Sequence, residues 1–291
     1  MKKIKELTIT TPWGHVAAKT HGQSSSYPVL CIHGILDNAG AFDRLIAKLP
    51  DDYYYVAVDL PGHGLSSHFS SGLLLDFFNY VLTIRYIVEY FKWEHFYYIG
   101  HSFGGQLGAF YSILYPSQIK KMVLIEGLNT PIVPITKLIP RLRTINAKVI
   151  ESTIDKPEKL FTKQEIMHSL MYKRSSNLNK NAAEALFPRA VTQIGSKFKY
   201  NRDLRLKSYV IPTFDLNQIL KLLQNLNTDT LLLMSFATID RFRYNSTLKD
   251  ALKNLSNIKI EFVCGNHDVH NNQPENLVDK IVNFFFLTSK L

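Results

Sequence analysis

The chain has 291 residues, of which 46% are apolar and 12% aromatic, a composition that excludes a disordered or fibrous protein and fits one large globular domain. The formal net charge is +10. No apolar run approaches the roughly 18 residues of a membrane span, and no apolar signal core follows the first residues, so neither feature is predicted. The two cysteines, Cys31 and Cys264, fall at predicted central strands, which favours small buried thiols in a reducing compartment over a disulfide.

Short apolar strands alternate with amphipathic helices as far as residue 125. Residues 5–10 and 15–20, joined by a turn with Pro12 and Gly14, predict an antiparallel hairpin. The fully apolar runs after the hairpin are typical of buried parallel strands, and the stretches between them have a helical period. The predicted strands cover residues 28–32, 54–58, 95–99 and 121–125, and the predicted helices cover residues 41–49, 74–91 and 106–115.

The alternation stops after residue 127 and resumes at residue 229. Residues 128–228 contain helical patterns, scattered prolines and no convincing strand, which predicts a helical cap inserted into the sheet. Alternating strands and helices predict an α/β fold with a mostly parallel, doubly wound sheet and right-handed crossovers. We therefore predict a core of residues 1–127 and 229–291 around a cap of residues 128–228. The later strands are predicted at residues 230–235 and 258–263, and the later helices at residues 246–255 and 274–287.

The predicted cap is strongly basic. Residues 131–229 contain 17 lysines and arginines and 8 acidic residues, so nearly all of the excess positive charge lies there. A basic segment can attract nucleic acid, an anionic membrane surface or an anionic substrate. These charges follow no recognised nucleic-acid-binding motif, so a solvated helical face is the plainer interpretation and no nucleic-acid partner is predicted.

Residues 100–105 read Gly-His-Ser-Phe-Gly-Gly, between a predicted strand and a predicted helix. In this context Gly-x-Ser-x-Gly predicts a nucleophile elbow, in which Ser102 takes strained backbone angles while Gly100 and Gly104 let neighbouring backbone pass close by. The next amide, of Phe103, starts the helix and is a candidate oxyanion donor. The alternative is a glycine-rich turn in which the serine only caps the helix.

A serine needs a base, and His267 is the strongest candidate among the ten histidines. It follows the last predicted strand and precedes the last predicted helix, which gives the chain order serine, acid, histidine. His270, three residues later, is the second choice.

Two carboxylates compete for the role of orienting this histidine. Glu126 stands directly at the end of strand 121–125, where a buried charge without a role would be costly. Asp240 follows strand 230–235 but stands far beyond its end for a tight turn. We favour Glu126, and Asp240 remains the alternative.

The loop after strand 28–32 is predicted to supply the second oxyanion donor. Gly34 lets the chain turn so that the Ile35 amide points at a carbonyl oxygen. We expect His33 to hydrogen-bond the neighbouring loops instead of acting as a base, and Asp59 to have a similar structural role in its turn. No Cys/His cluster has metal-ligand spacing and no glycine pattern matches a dinucleotide fingerprint, so neither a metal nor a cofactor is predicted.

These motifs resemble the α/β-hydrolases and, within that superfamily, the serine hydrolase-like (kraken-type) family. The matching segments are residues 33–46, 59–69, 100–105, 202–207 and 265–270. The resemblance implies an α/β-hydrolase fold with a helical cap and a cofactor-free serine hydrolase. It carries a nucleophile onto Ser102, a base onto His267, and oxyanion donors onto Ile35 and Phe103.

The acid departs from the common superfamily pattern, because no well-spaced aspartate follows the strand after the cap. Related hydrolases can place the acid after the strand that follows the elbow, where Glu126 stands. Haloalkane dehalogenases and epoxide hydrolases of this fold have an aspartate in place of Ser102. The serine therefore predicts an acyl-enzyme, and with it an ester, thioester or amide as small-molecule substrate.

The final three residues, Ser289, Lys290 and Leu291, form a peroxisomal address if Leu291 carries a free carboxyl group and the source has peroxisomes. They predict a peroxisomal import receptor as a partner, with the cytoplasm as the alternative location. Together with the basic cap, they make an acyl-CoA thioesterase a variant of the predicted ester hydrolase. A catalytically silent hydrolase fold that only binds a ligand is the remaining hypothesis, favoured by the ambiguous acid alone.

Overall fold

The computed structural model describes residues 2–155, 157–238 and 255–287. Three sequence-based predictions fall outside these ranges: Asp240, nearly all of the helix at residues 246–255, and the tripeptide Ser289–Leu291. The peroxisomal address and its receptor therefore remain predictions from the sequence.

The described residues form a central sheet with helices on both faces. Its strands, together with a separate pair, are β1 (Ile4–Thr11), β2 (Gly14–His21), β3 (Tyr27–Ile32), β4 (Tyr53–Val58), β5 (Phe96–His101), β6 (Ile119–Ile125), β7 (Val191–Ile194), β8 (Lys197–Tyr200), β9 (Asp229–Ser235) and β10 (Ile258–Val263). The α-helices are α1 (Asp43–Ile46), α2 (Phe77–Phe91), α3 (Phe103–Leu114), α4 (Ile135–Glu151), α5 (Lys163–Tyr172), α6 (Lys180–Ala190), α7 (Leu216–Gln224), α8 (Val269–Asn272) and α9 (Glu275–Val282). Short 3-10 turns cover Ala39–Phe42, Leu204–Ser208 and Phe236–Thr238, and one π turn covers Asn283–Leu287.

The eight strands of the main sheet run in the order β1-β2-β4-β3-β5-β6-β9-β10. All pairs from β4 to β10 are parallel, and β1 and β2 form the predicted antiparallel hairpin. The predicted mostly parallel α/β sheet is therefore confirmed. The chain leaves β3 toward β4 and returns to β5 on the other side, so the loops after β3 and β5 lie side by side. Ligands of such sheets bind at this reversal of strand order, which here brings the loop of Ile35 beside Ser102.

Two apolar layers hold the sheet between its helices. On one face α2, α3 and α7 bury residues such as Ile84, Leu107 and Leu223 against the strands. On the other face the layer includes Phe42 and Leu277 beside the strand residues. Because both faces are covered, β3 to β6 read as continuous apolar runs, and this is why the sequence predicted them well.

The segment between β6 and β9 contains α4 to α7 and an antiparallel hairpin of β7 and β8. The expectation of a purely helical segment there was wrong. Gly195 and Ser196 form the two-residue loop of the hairpin. Gly195 has a φ of +60°, which glycine adopts without strain. Buried residues of α5 and α6 form a third apolar cluster with the hairpin, which also contacts Ala41 of the core.

The predicted helix at residues 41–49 is much shorter in the structure. The Asn38 side chain accepts a hydrogen bond from the Gly40 amide and starts a 3-10 turn, which α1 extends only to Ile46. A side chain at Gly40 would clash with the Ala185 carbonyl of α6, so close packing of the cap constrains this segment. Among the described residues, no helix is both long and apolar enough to cross a membrane.

Candidate active site

Ser102 lies on a sharp turn between β5 and α3. Its φ of +50° and ψ of −109° are strained for a residue with a side chain, and its amide donates to the Ile125 carbonyl at 2.8 Å. A Cβ at Gly100 would stand 2.6 Å from the Gly104 carbonyl oxygen, and one at Gly104 would clash with the Ile32 carbonyl. Both glycines are therefore required for the turn, as the motif predicted.

The three side chains predicted as nucleophile, base and favoured acid lie in one hydrogen-bonded row. The Ser102 Oγ is 3.0 Å from Nε2 of His267, and Nδ1 of His267 is 3.1 Å from Oε2 of Glu126. His267 lies in the loop between β10 and α8, with 17% of its side chain exposed. Such an arrangement can pass a proton from the hydroxyl to the ring while the carboxylate stabilises the resulting imidazolium.

Glu126 is fixed by the strand that follows the cap. Its Oε1 accepts hydrogen bonds from the Ser235 amide and, at 2.9 Å, from the Thr238 hydroxyl. Burial alone would raise the pKa of this carboxyl, but the hydrogen bonds from His267, Ser235 and Thr238 outweigh it and lower the pKa below 4.5. Glu126 is therefore a carboxylate at neutral pH. Asp240 lies outside the described residues, so its position relative to His267 is not described.

Ile35 lies in a loop that backs onto Ser102. A Cβ at Gly34 would be 3.3 Å from the Cβ of Ser102, so the loop and the elbow are in close contact. Within the described residues, no acceptor pairs with the Ile35 amide. The Phe103 amide opens α3, where a helix has no carbonyl of its own to accept the proton. Both predicted oxyanion donors are thus backbone N–H groups beside the nucleophile.

His33 contacts the surrounding loops, in agreement with the sequence analysis. Its Nδ1 donates to the Gly34 carbonyl at 2.8 Å, and its Nε2 accepts from the Leu60 amide at 3.0 Å. Nε2 of His63 accepts from the Leu36 amide at 3.1 Å. The two rings therefore tie the loop after β3 to the turn after β4.

Sequence reasoning missed a buried ionic group behind the row. Arg174 of the cap bonds Asp37 at 2.6 Å and Asp268 at 3.1 Å, and His101 donates to the His267 carbonyl at 3.0 Å. His101 directly precedes the predicted nucleophile and Asp268 directly follows the predicted base, and these positions were the signal in the sequence that could have identified them. The pairing with Arg174, 137 and 94 residues away along the chain, had no signal.

His270, the second choice for the base, is wholly buried away from Ser102 and packs on His101 with ring centroids 3.9 Å apart. Asp37, His101 and His270 have potential ligand atoms within 4.8 Å of one another. The rings are tilted by only 31°, so their faces meet and their in-plane nitrogens do not converge on one point. Arg174 already neutralises Asp37. These three residues therefore suit packing better than a metal ion.

Four buried histidines surround the site, and burial lowers the pKa of each. The pKa of His33 falls to about 4, that of His63 to about 3 and that of His101 to about 3, while that of His270 falls well below 6.5. All four are neutral in the folded protein near pH 7. The unfolded chain, by contrast, takes up protons on them below about pH 6.5.

We expect the free energy of unfolding to fall steeply as pH decreases from 6.5 to 4. Lowered pKa values mean that the unfolded state binds more protons, so stability is full above pH 6.5 and each histidine removes up to about 1.4 kcal/mol per pH unit below it. Urea unfolding at several pH values measures how steeply the free energy of unfolding falls with pH. We expect a smaller pH dependence in His63→Gln and an unchanged one in His95→Gln, whose histidine is exposed. The same pH dependence in the wild-type protein and both variants would contradict the prediction.

The sheet order and the strained serine turn define the α/β-hydrolase class of fold. The family model "alpha/beta hydrolase fold" matches residues 27–270. Serine hydrolase-like protein 2 of Homo sapiens is 34% identical over 99% of this chain and 96% of its own length. The chain therefore belongs to the α/β-hydrolase fold family and, within it, to the serine hydrolase-like proteins.

Two solved structures share the fold. The hypothetical protein PA1622 of Pseudomonas aeruginosa PAO1 has a TM-score of 0.83 at 23% identity, covering 97% of this chain and 98% of that chain. A thioesterase domain from the curacin biosynthetic pathway has a TM-score of 0.79 at 21% identity, covering 96% and 99%. At these identities the likeness concerns the fold alone.

Proposed function

We propose that the protein is an active serine hydrolase that cleaves carboxylic esters through an acyl-enzyme on Ser102. The observation that carries this proposal is the row of hydrogen bonds from Ser102 through His267 to Glu126, at 3.0 and 3.1 Å. A silent binding module has no need to keep a partly exposed serine, an imidazole that can accept its proton and a buried carboxylate in this order.

In the first half-reaction, the Ser102 Oγ attacks the ester carbonyl carbon and its proton passes to Nε2 of His267. The negative charge on the carbonyl oxygen is stabilised by the amides of Ile35 and Phe103. When the carbonyl re-forms, the bond to the alcohol oxygen breaks and this oxygen takes the proton from His267. The alcohol leaves, and the acyl group stays on Ser102.

Water reverses these steps in the second half-reaction. His267 takes one proton from the water, the oxygen attacks the acyl carbon, and the same amides hold the charge. The bond to Ser102 then breaks and the serine recovers a proton from His267. Glu126 keeps its charge throughout and stabilises the imidazolium that forms in each half.

A fluorophosphonate probe tests the nucleophile directly. The activated hydroxyl displaces fluoride and forms a stable phosphonate ester, so we expect an adduct that mass spectrometry maps to Ser102. Ser102→Ala should remove the adduct, whereas Ser112→Ala, within the helix that follows Ser102, should not. An absence of labelling under conditions that label a control hydrolase would overturn the proposal in favour of the silent binding module.

A further inference from the structure

A cavity of about 730 Å³ begins at the loop of Ile35 and extends under the cap. Ile35 and Leu36 line it on the core side, and α5, the hairpin strand β8 and the segment after it line it on the cap side. Ser102 and His267 do not line this cavity; the loop of Ile35 connects it to the elbow, because Gly34 packs against Ser102.

The cavity wall is rich in cations. Lys173, Arg174, Arg202 and Lys207 line it, with Glu165 as its acidic residue. Two of these charged side chains, one basic and one acidic, already have partners within the protein. Arg174 is paired with Asp37 and Asp268, and Glu165 accepts hydrogen bonds from the amide and hydroxyl of Thr162 as the cap of α5.

Three cations remain on the wall: Lys173, Arg202 and Lys207. Among the described residues, no carboxylate lies within ion-pair distance of any of them. Arg202 is half-buried and stacks on Tyr200, with its guanidinium 4.5 Å from the ring centroid. Burial lowers the pKa of Arg202, because the protein groups around the guanidinium do not fully replace the water that solvates it in the unfolded chain.

A second cavity of about 600 Å³ shares Leu36, Arg202 and Lys207 with the first. The adjacent Arg205 is used internally, because it bonds Asp203 and the carbonyls of Phe69, Ser70 and Leu73. Arg202 and Lys207 therefore line both cavities without a carboxylate partner among the described residues. The neighbouring Arg205, by contrast, is fully used in hydrogen bonds within the protein. A half-buried guanidinium without a carboxylate partner, in a cavity that begins at the loop of a candidate oxyanion donor, is an arrangement that can bind a carboxylate or phosphate.

We propose that the substrate of Ser102 carries an anionic group, a carboxylate or a phosphate, that binds Arg202 and Lys207 in the cap. This inference rests on the proposed function and adds the class of substrate. The anionic group has two possible sources: the acyl chain of a dicarboxylic monoester, or the coenzyme A part of an acyl-CoA.

Matched substrates separate these sources. p-Nitrophenyl monoglutarate is compared with neutral p-nitrophenyl pentanoate, and butyryl-CoA is compared with the neutral thioester butyryl-pantetheine. In the wild-type protein we expect kcat/KM for at least one anionic member to exceed that of its partner by about tenfold. The preference should decrease in 0.5 M salt, since salt screens partly exposed charges.

Variants assign the preference to the cavity. Arg202→Gln should lower kcat/KM for the preferred anionic substrate about tenfold, through KM, and leave its neutral partner unchanged. Lys221→Gln, on an exposed face of α7 outside both cavities, is the matched control and should change neither. Equal rates for anionic and neutral substrates, or an equal loss for both in Arg202→Gln, would overturn the proposal.

Binding to Ser102→Ala gives a result that does not depend on turnover. Calorimetry with glutarate and with coenzyme A should show binding that Arg202→Gln weakens about tenfold. If neutral esters are hydrolysed but neither anion binds, the anionic substrate is wrong and the hydrolase stands. If an anion binds but no ester or thioester is hydrolysed, the hydrolase is wrong and the cavity is an anion-binding site of an inactive fold.

Discussion

Replacing Glu126 with glutamine is expected to lower kcat for ester hydrolysis by roughly 10⁴-fold while the protein stays folded. The glutamine amide can still accept from the Ser235 amide, so the local structure has its partner. It cannot stabilise an imidazolium, and its NH₂ group favours the wrong tautomer of His267. The measurement is kcat on a neutral p-nitrophenyl ester at pH 7.5, with circular dichroism to verify folding.

Asp240→Asn is the matched control for this experiment, because Asp240 was the competing candidate for the acid. We expect Asp240→Asn to retain the wild-type kcat. A large loss in Asp240→Asn with a small loss in Glu126→Gln would reverse the assignment. Comparable small losses in both would mean that His267 needs no carboxylate for this reaction.

The nucleophile was the easiest part of the site to predict, because the elbow is a local structure. The strained serine and the two glycines that the turn requires lie within five residues between a strand and a helix, so one pentapeptide encodes the elbow, although Gly104 also packs against the distant Ile32 carbonyl. His267 was predictable for a related reason. The chain order places a histidine after the last strand, and β10 brings that loop to the same edge of the sheet.

The choice between Glu126 and Asp240 depended on strand adjacency, which the sequence does not state. In the structure β6 lies between β5 and β9, so a residue at its end stands beside both the elbow and the loop after β9. Ser235, the last residue of β9, and Thr238, three residues later, donate hydrogen bonds to Glu126. The carboxylate therefore comes from the end of β6 and is held by residues at the end of β9 and just beyond it.

The cap was the least predictable region, for two physical reasons. The hairpin of β7 and β8 has only four residues per strand, so its alternation in Lys197–Tyr200 is too short to distinguish from a helical pattern. The cap also contacts the core through ion pairs between residues far apart in the chain, such as Arg174 with Asp37, and these obey no local rule.

The second large effect concerns stability, and it arises where the cap meets the core. We expect Arg189→Met to lower the free energy of unfolding by roughly 3–5 kcal/mol, because it leaves a buried charge without its partner. Nε of Arg189 lies 3.0 Å from Oδ2 of Asp59, a carboxylate with no solvent exposure. Asp59 also accepts the Ala39 and Leu65 amides, both at 2.7 Å, and so fixes the loops after β3 and β4.

Urea unfolding, monitored by tryptophan fluorescence, measures the loss of unfolding free energy in Arg189→Met. Arg85→Met is the comparison, because it removes an exposed ion pair instead of a buried one. Arg85 forms an exposed pair with Glu89 within α2, and the loss of such a pair costs at most about 1 kcal/mol. The double variant Arg189→Met/Asp59→Asn removes the orphaned charge, so it should recover part of the stability lost in Arg189→Met. If Arg189→Met costs no more than Arg85→Met, the buried pair does not join cap and core. The loop of Ile35 would then be held by His33, by His63 and by the pair of Asp37 with Arg174.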